Sequence, residues 1–500
     1  MIWANAPASI SYLFTLKPMA IVIYNTLTQK KEPFFPLKPG RVGLYACGIT
    51  AYDFCHLGHA RSAIVFDVIV RYLRYRGYQV TFVKNFTDVD DKIIARALRE
   101  GCTIYDISNR FIDEHNRDMA RLNVLSPDHT PRATDYVQDM IAFIATLISR
   151  GLAYDTPEGD VYFAVNRFTG YGKLSHRQLE EMAAGARVQP SERKRHPLDF
   201  ALWKASKEGE PSWESPWGKG RPGWHTECVV MSRRLLGETF DIHGGGEDLI
   251  FPHHENEIAQ AEGASGKPLA RYWMHNAFIR VSGEKMSKSL GNVTTIREIT
   301  EKWHPEVIRL FVLQSHYRSP IDISEASLSE ARTALRRYYS TMKALQRRLA
   351  EAKRGTQTQG DRQVLASLDH LRVKFTEAMD DDFNTARALG YIFENVRLLN
   401  SYLSGKVNEE VLEKARAVFS ELGNVLGVFQ ADPQDFLEAD RERALRLHNL
   451  DRGEIERLIA ERTKARKAKD WSRADEIRKY LHSLQVTLQD APTGTEWYID

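Results

Sequence analysis

The sequence predicts an α/β protein: a Rossmann-like parallel-sheet domain with an inserted connective domain, then an α-helical bundle and a small mixed C-terminal domain. Three observations predict it. A strand, a helix and a second strand follow one another between Val42 and Phe86. A later strand-like run, Phe240 to His243, ends in Gly244-Gly245-Gly246. Beyond Leu290 the strand signals give way to apolar stripes at helical spacing.

Taken in order, Met1 to Pro18 lacks a basic residue before Lys17 and makes a poor secretory signal. Residues 1–18 are read as an extension, expected to be disordered, with the fold beginning at Met19 and the strand-like Ala20 to Asn25. Val42 to Cys47 reads as a short buried strand. Residues 57 to 76 read as a helix, with Ile64, Val68, Tyr72 and Leu73 near helical spacing and Gly77 as the stop. Tyr78 to Phe86 is the next strand, Val80 and Phe82 alternating, and the three make a right-handed βαβ unit. Residues 131–215 are turn-rich, with Tyr154 to Asp160 and the charged Ser191 to His196. They read as an insertion between two halves of the sheet domain, 19–130 and 216–285.

Three glycines after Phe240 to His243 read as a loop. The sharper reading is a close approach of ligand to backbone at a strand end, as in open α/β sheets. Residues 286–330 read as a signature-loop and stem-contact region. Leu335, Tyr338, Met342, Leu345 and Leu349, then Leu389, Ile392, Phe393, Val396 and Leu399, predict a bundle over 331–428. Residues 429–500 read as a final unit of two helical segments and short strands at Val486 to Leu488 and Trp497 to Ile499.

Composition bounds the function. Five hundred residues suffice for several domains. A net charge of +3 permits a nucleic-acid partner without demanding one. Four cysteines exclude a disulfide scaffold and suit a reducing, cytoplasmic setting, and no run is apolar and long enough to span a bilayer. Arg336, Arg337, Lys343, Arg347, Arg348, Lys353 and Arg354 decorate the region of the first stripe, as a solvated basic face or an RNA-facing one.

Two strings point to a nucleotide-phosphate site. His56-Leu57-Gly58-His59 lies where a strand turns into a helix, whose N-terminus favours phosphate. Its imidazoles can donate to phosphate oxygens, and Gly58 lets adenine approach the backbone. Lys285-Met286-Ser287-Lys288-Ser289, flanked by glycines, can close on a triphosphate. Alone, the first string reads equally as helix capping and the second as a surface loop; together around a βαβ unit they favour ATP. His253 and Glu257, at i and i+4, share a helix face, with Pro252 suiting its first turn. With Cys47 and Cys228 they offer two thiols, an imidazole and a carboxylate, a set suited to zinc, although no Cys-x-x-Cys is present.

These strings, with Tyr24 to Leu27, Cys47 to Asp53, Thr87 to Lys92, Gly223-Trp224-His225, His243 to Asp248, Phe251 to Glu257, Met379 to Asn384 and Lys467 to Trp471, make the chain resemble the cysteinyl-tRNA synthetases, bacterial class I aminoacyl-tRNA synthetases, over residues 20 to 500. The resemblance implies a ligase that activates L-cysteine with ATP·Mg²⁺ and transfers it to tRNA(Cys). It implies one zinc per chain on Cys47, Cys228, His253 and Glu257, and a cysteine pocket of Gly48, Thr87, Trp224 and His243. It places ATP on Gly58, Gly244, Gly245, Asp248 and Lys288, with His56, His59, Lys285 and Lys288 catalytic. The anticodon falls to Arg466, Trp471, Asp475, Arg478 and Asp490, and the usual state of the family is a monomer. Leu57 and Ile49 depart from the family's commoner isoleucine and proline and touch no catalytic group.

Three rival readings are a ligase passing cysteine to an amino sugar, an RNA-binding paralogue without activity, and a zinc hydrolase built on His253 and Glu257. The C-terminal unit argues against the first, the intact His56, His59 and Lys288 against the second, and the lysine loop against the third.

Overall fold

The computed structural model describes residues 20–178, 194–281, 284–285, 294–491 and 494–499. The N-terminal extension, the first half of the charged turn at Ser191 to His196 and Met286 to Ser289 of the lysine string lie outside the described residues. The chain opens with an antiparallel hairpin, β1 (Val22–Asn25) and β2 (Lys30–Pro33). β3 (Arg41–Thr50), α1 (Leu57–Tyr75) and β4 (Gln79–Thr87) form the expected βαβ unit. β3 and β4 pair in parallel. α1 carries Ile64, Phe66, Val68, Ile69, Tyr72 and Leu73 into the main core. α2 (Asp91–Glu100), α3 (Ile104–Arg121) and α4 (Val137–Ser149) follow.

The insertion is a four-stranded antiparallel sheet, β5 (Ala153–Asp155), β6 (Val161–Phe163), β7 (Phe200–Ala205) and β8 (Gly220–Pro222), with its own apolar cluster around Phe163, Phe200 and Trp203. The chain returns through α5 (Trp224–Leu236), β9 (Phe240–Gly246), α6 (Glu255–Ser265) and β10 (Ala270–Asn276). The central sheet has the order β10-β9-β3-β4, all parallel. Strand order therefore reverses between β3 and β9, where α/β sheets hold ligands at their carboxyl ends.

The glycine run belongs to β9 rather than to a loop. Met274, His275 and Asn276 of β10 pair with Gly244, Gly245 and Gly246. Packing explains two of the glycines: a Cβ at Gly244 would lie 2.2 Å from the Phe66 ring, and one at Gly245 2.8 Å from Leu249.

β11 (Ile279–Val281), β12 (Glu284–Lys285) and β13 (Ile321–Ile323) form a small sheet around α7 (Ile296–Lys302) and α8 (Pro305–Leu313). The bundle comprises α9 (Glu325–Glu351), α10 (Gln359–Asp380), α11 (Thr385–Leu403) and α12 (Glu409–Leu426). Of the two expected stripes, Leu349 and Phe393 are half-buried and the rest buried. The C-terminal unit has three helices where the sequence suggested two: α13 (Pro433–His448), α14 (Arg452–Lys467) and α15 (Trp471–Ser483). Asn449, in the left-handed conformation, separates the first two. The hairpin β14 (Val486–Ala491) and β15 (Gly494–Ile499) closes the chain.

Candidate metal and nucleotide site

Cys47 sits where β3 changes register against β4, between Ala46 and Ile49. A bulge there re-aims the side chain beside the strand end. Gly48 is obligatory in it, because a Cβ would lie 1.5 Å from the Asn85 carbonyl oxygen. Asn85 holds the bulge from β4, its Oδ1 accepting from the Gly48 N–H at 2.8 Å. It also accepts from the Cys228 thiol at 3.7 Å.

α5 presents Cys228, and a π-helical turn running into α6 presents His253 and Glu257. The two sulfurs are 3.6 Å apart, and the Cys47 sulfur is 3.5 Å from Glu257 Oε1. One ligand atom from each of Cys47, Cys228, His253 and Glu257 lies within 4.8 Å of all the others. Burial and the neighbouring Cys228 push the Cys47 thiol up, while the Cys47 hydrogen bond brings the Cys228 thiol down. Burial also opposes the Glu257 carboxylate, but His243 and His253 hold it well below its ordinary range.

The chemistry of this set fits a soft dication. His253 Nε2 lies 3.0 Å from Glu257 Oε1, yet the two are not aligned for a hydrogen bond, and this buried nitrogen has no hydrogen-bond partner. An imidazole nitrogen so placed, beside two thiols and a carboxylate, addresses its lone pair to a cation. A second grouping, Cys47, His243, His254 and Glu257, is equally compact. Each of its two imidazoles has at least one nitrogen already committed. His243 Nε2 bonds Glu257 Oε2 at 2.7 Å, and His254 Nε2 lies 3.2 Å from the Cys47 sulfur. His254 Nδ1 meets His275 Nε2 at 2.8 Å, and His275 Nδ1 meets Thr26 Oγ1 at 2.8 Å. These rings orient the ligands.

Of the expected cysteine-pocket residues, Gly48 and Thr87 lie at or near the carboxyl ends of β3 and β4, and Trp224 begins α5. Thr87 Oγ1 donates to Glu227 at 2.5 Å. Trp224, 40% exposed, stacks on His253 at 4.1 Å and covers the cluster. His243 stands behind it, fully buried, stacked on Trp273 at 4.4 Å.

His56 caps α1. Its Nδ1 accepts from the Gly58 N–H at 3.1 Å, and His59 Nδ1 accepts from the His56 N–H at 3.2 Å. The rings stack at 3.8 Å. An Nδ1 that accepts puts the proton on Nε2, so capping itself makes both rings donors from Nε2. Asp248 is exposed just past β9. Lys285 pairs with Arg280 in β12, and the residues following the lysine loop return to α1: Leu57 donates to Thr294 at 3.2 Å and Ile296 to Cys55 at 2.9 Å. The residues just past the lysine string thus lie against the histidine string.

At the far end, Trp471 is 60% exposed at the start of α15. Asp475 and Arg478 form an exposed pair at 3.5 Å. Asp490 is already occupied. Arg462 grips its carboxylate with two bonds of 2.9 Å, Arg466 reaches it at 2.5 Å and Thr495 at 2.8 Å. Between α9 and the β14–β15 hairpin lies a cavity of about 610 Å³ lined by Arg336, Arg337, Lys343, Arg347 and Arg441.

Sequence reasoning missed Asn85, His254, His275 and Arg462. The doubled histidine at 253–254 is the one local signal that pointed to any of them.

Comparison with known proteins agrees in each region. Residues 33–333 match the model of the class I (C) tRNA synthetase catalytic domain, 374–430 a DALR domain, and 452–497 the cysteinyl-tRNA ligase anticodon binding domain. A cysteine–tRNA ligase of Geobacter metallireducens is 53% identical over 485 residues, covering 96% of this chain and 100% of the relative. That of Geobacter sulfurreducens is 53% identical over 482 residues with the same coverage. In fold, the chain is similar to methionyl-tRNA synthetase of Mycobacterium tuberculosis, with a TM-score of 0.58, 18% identity, and coverage of 80% of this chain and 93% of the other.

Proposed function

The chain belongs to the cysteine–tRNA ligase family, and we propose from that premise how its residues join L-cysteine to tRNA(Cys) at the carboxyl edge of the parallel sheet. It is an ATP-dependent ligase acting in two steps. The cysteine carboxylate attacks the α-phosphate of ATP·Mg²⁺, giving cysteinyl-adenylate and pyrophosphate; the terminal ribose hydroxyl of tRNA then attacks the acyl carbon and releases AMP. The observation that carries the reading is the buried quartet Cys47, Cys228, His253 and Glu257 at the same sheet edge as His56 and His59.

These four residues would hold one zinc, which would supply a Lewis acid able to accept a substrate thiolate. The chain's own residues do the rest. Asn85 and Gly48 fix the Cys47 sulfur, and His243 and His254 fix Glu257 and Cys47. Trp224 excludes water from the cluster, and the Thr87 hydroxyl, set by Glu227, orients the amino acid. His56 and His59 donate Nε2–H toward the phosphates as charge develops, joined by Lys285 and Lys288. Gly58 keeps the capped turn open, since a Cβ would lie 2.9 Å from the His56 ring. Gly244, Gly245 and Asp248 form the floor and rim at which the adenosine docks.

The quartet accounts for selection against serine. A shape-only pocket separates such close analogues by about 1–3 kcal/mol. A soft cation on these four residues would add discrimination at binding, because a serine hydroxyl would stay protonated and ligate poorly. Arg466, Trp471, Asp475, Arg478 and Asp490 read the anticodon, Trp471 by stacking and Asp490 by holding Arg462 and Arg466 in place. The basic cavity lies beside the hairpin that carries Asp490. A cytoplasmic monomer is the working state; among the described residues no helix is long and apolar enough to cross a membrane.

Cys228→Ser tests the reading. The variant keeps its circular dichroism, loses its zinc and loses cysteine-dependent ATP–pyrophosphate exchange. Normal exchange in a zinc-free Cys228→Ser protein refutes the assignment.

A further inference from the structure

The string Met379 to Asn384 has no part in either chemical step, yet the structure builds an elaborate corner from it. The chain turns there from α10 into α11 with Asp382 and Phe383 at φ of 60° and 53°, left-handed conformations that favour glycine. Each of three consecutive aspartates reaches a different part of the sheet domain. Asp380 accepts from the Tyr72 hydroxyl of α1 at 2.6 Å and pairs with Arg76. Asp381 pairs with Lys31 of the β1–β2 hairpin at 2.5 Å.

Asp382 is fully buried and makes the most contacts. Its Oδ1 accepts from the Tyr24 N–H at 2.9 Å and the Tyr317 hydroxyl at 2.8 Å. Its Oδ2 accepts from Arg318 Nε at 2.8 Å, and its own N–H donates to the Val22 carbonyl at 2.9 Å.

Two of these contacts lead to the active edge. The Tyr317 carbonyl accepts from Arg61 at 3.1 Å and from the Ala277 N–H at 3.0 Å. Arg61 stands on α1 close after His59, and its other arm donates to the Phe278 carbonyl at 2.6 Å, at the root of the strand feeding the lysine loop. Along β1, Tyr24 leads to Asn25, whose Oδ1 accepts from the Trp273 N–H at 3.0 Å, and to Thr26, which meets His275. One carboxylate in the bundle corner therefore abuts both the scaffold of the phosphate-binding strings and that of the metal-side histidines.

We propose that Asp382 is a positioning residue that couples the bundle, and through it the docking of the anticodon end of tRNA, to the activation site, with Tyr317 as the intermediary. The proposal rests on the reading of the chain as a tRNA ligase. Polar contacts that are buried and mutually oriented transmit displacement because they have few alternative arrangements, and couplings between sites typically amount to about 5- to 150-fold.

Tyr317→Phe removes only the hydroxyl bond and keeps the carbonyl that holds Arg61; Asp382→Asn keeps the volume and removes the charge. Both are assayed for cysteine-dependent exchange, for charging of full tRNA(Cys) and for charging of an acceptor-stem minihelix lacking the anticodon arm. The expected result is exchange and minihelix charging within about twofold of the parent and full-tRNA charging lower by roughly tenfold in kcat/KM. The double variant should lose no more than the worse single, as for two members of one pathway. Three results overturn the proposal: unchanged charging of full tRNA; loss of exchange, minihelix and full-tRNA activity in proportion to the unfolded fraction, which is a structural role only; or additive effects in the double variant. Absence of cysteine-dependent exchange in the parent protein instead refutes the ligase reading, so the two failures are distinct.

Discussion

Gly48→Ala isolates the geometry that places Cys47. The new methyl group would sit 1.5 Å from the Asn85 carbonyl oxygen, about 1.5 Å short of the 3.0 Å below which real Cβ contacts do not occur. The obstacle is backbone, in a strand hydrogen-bonded on one side to β3, so no rotamer change relieves it. Either β3 or β4 must shift, and the hydrogen bond from Gly48 N–H to Asn85 Oδ1 goes with it. Overpacking of this kind costs about 1–3 kcal/mol or more in stability. The activity penalty is larger, because a misplacement of about 1 Å can cost roughly 100-fold in rate. The assay is cysteine-dependent pyrophosphate exchange together with bound zinc per chain, and the expected loss in exchange is roughly 100-fold with zinc content reduced. Gly43→Ala is the control on the same strand. Its Cβ would meet Leu236 at 3.5 Å and Phe240 at 3.6 Å, ordinary contacts, so exchange should stay within about twofold, or about 0.4 kcal/mol, comparable to the roughly 0.5 kcal/mol tolerance of a neutral substitution. Full exchange and full zinc in Gly48→Ala would refute the reasoning.

Trp471→Ala should raise the KM for tRNA(Cys) by roughly 5- to 150-fold, the equivalent of about 1–3 kcal/mol of base stacking, and leave exchange unchanged; steady-state charging kinetics check it. His304→Asn should flatten the acid side of the stability profile. Burial lowers the His304 imidazole from its ordinary 6.5 to about 4. The unfolded chain therefore binds the proton first, and the stability present above pH 6.5 is lost as pH falls toward 4, by at most about 3 kcal/mol and less in proportion to the residue's partial exposure. Asparagine keeps the N-cap to Glu306 that His304 Nδ1 provides, so denaturation across that window separates the cap from the charge.

The sheet domain was legible because its signals are local. Ile64, Val68 and Tyr72 repeat at the helical period, and Val80 and Phe82 alternate, so the βαβ unit follows from residues near one another in the chain. The compact quartet was legible from residue chemistry together with family resemblance, not from spacing, since Cys47 and Glu257 are 210 positions apart. What surrounds the quartet was not legible. Asn85 is one polar residue in a strand, and only the pairing of β4 with the bulged β3 gives it a purpose. His275, on β10, matters through His254, which the turn before α6 brings to it. The glycines of β9 misled for a related reason: a run of glycine signals missing side chains, and whether a loop or a packed helix needs that space depends on Phe66. The grip of Arg462 on Asp490 was not legible either, because α14 and β14 are brought together only by the fold.

The central claim is that the substrate's sulfur is selected by a metal on Cys47, Cys228, His253 and Glu257. The most direct measurement is pyrophosphate exchange with cysteine, serine and alanine on protein before and after stripping zinc, with restoration by added zinc. The expected result is strong preference for cysteine in the zinc-loaded protein and loss of cysteine activation on stripping, recovered on reloading. Undiminished, cysteine-selective exchange by fully stripped protein would contradict it.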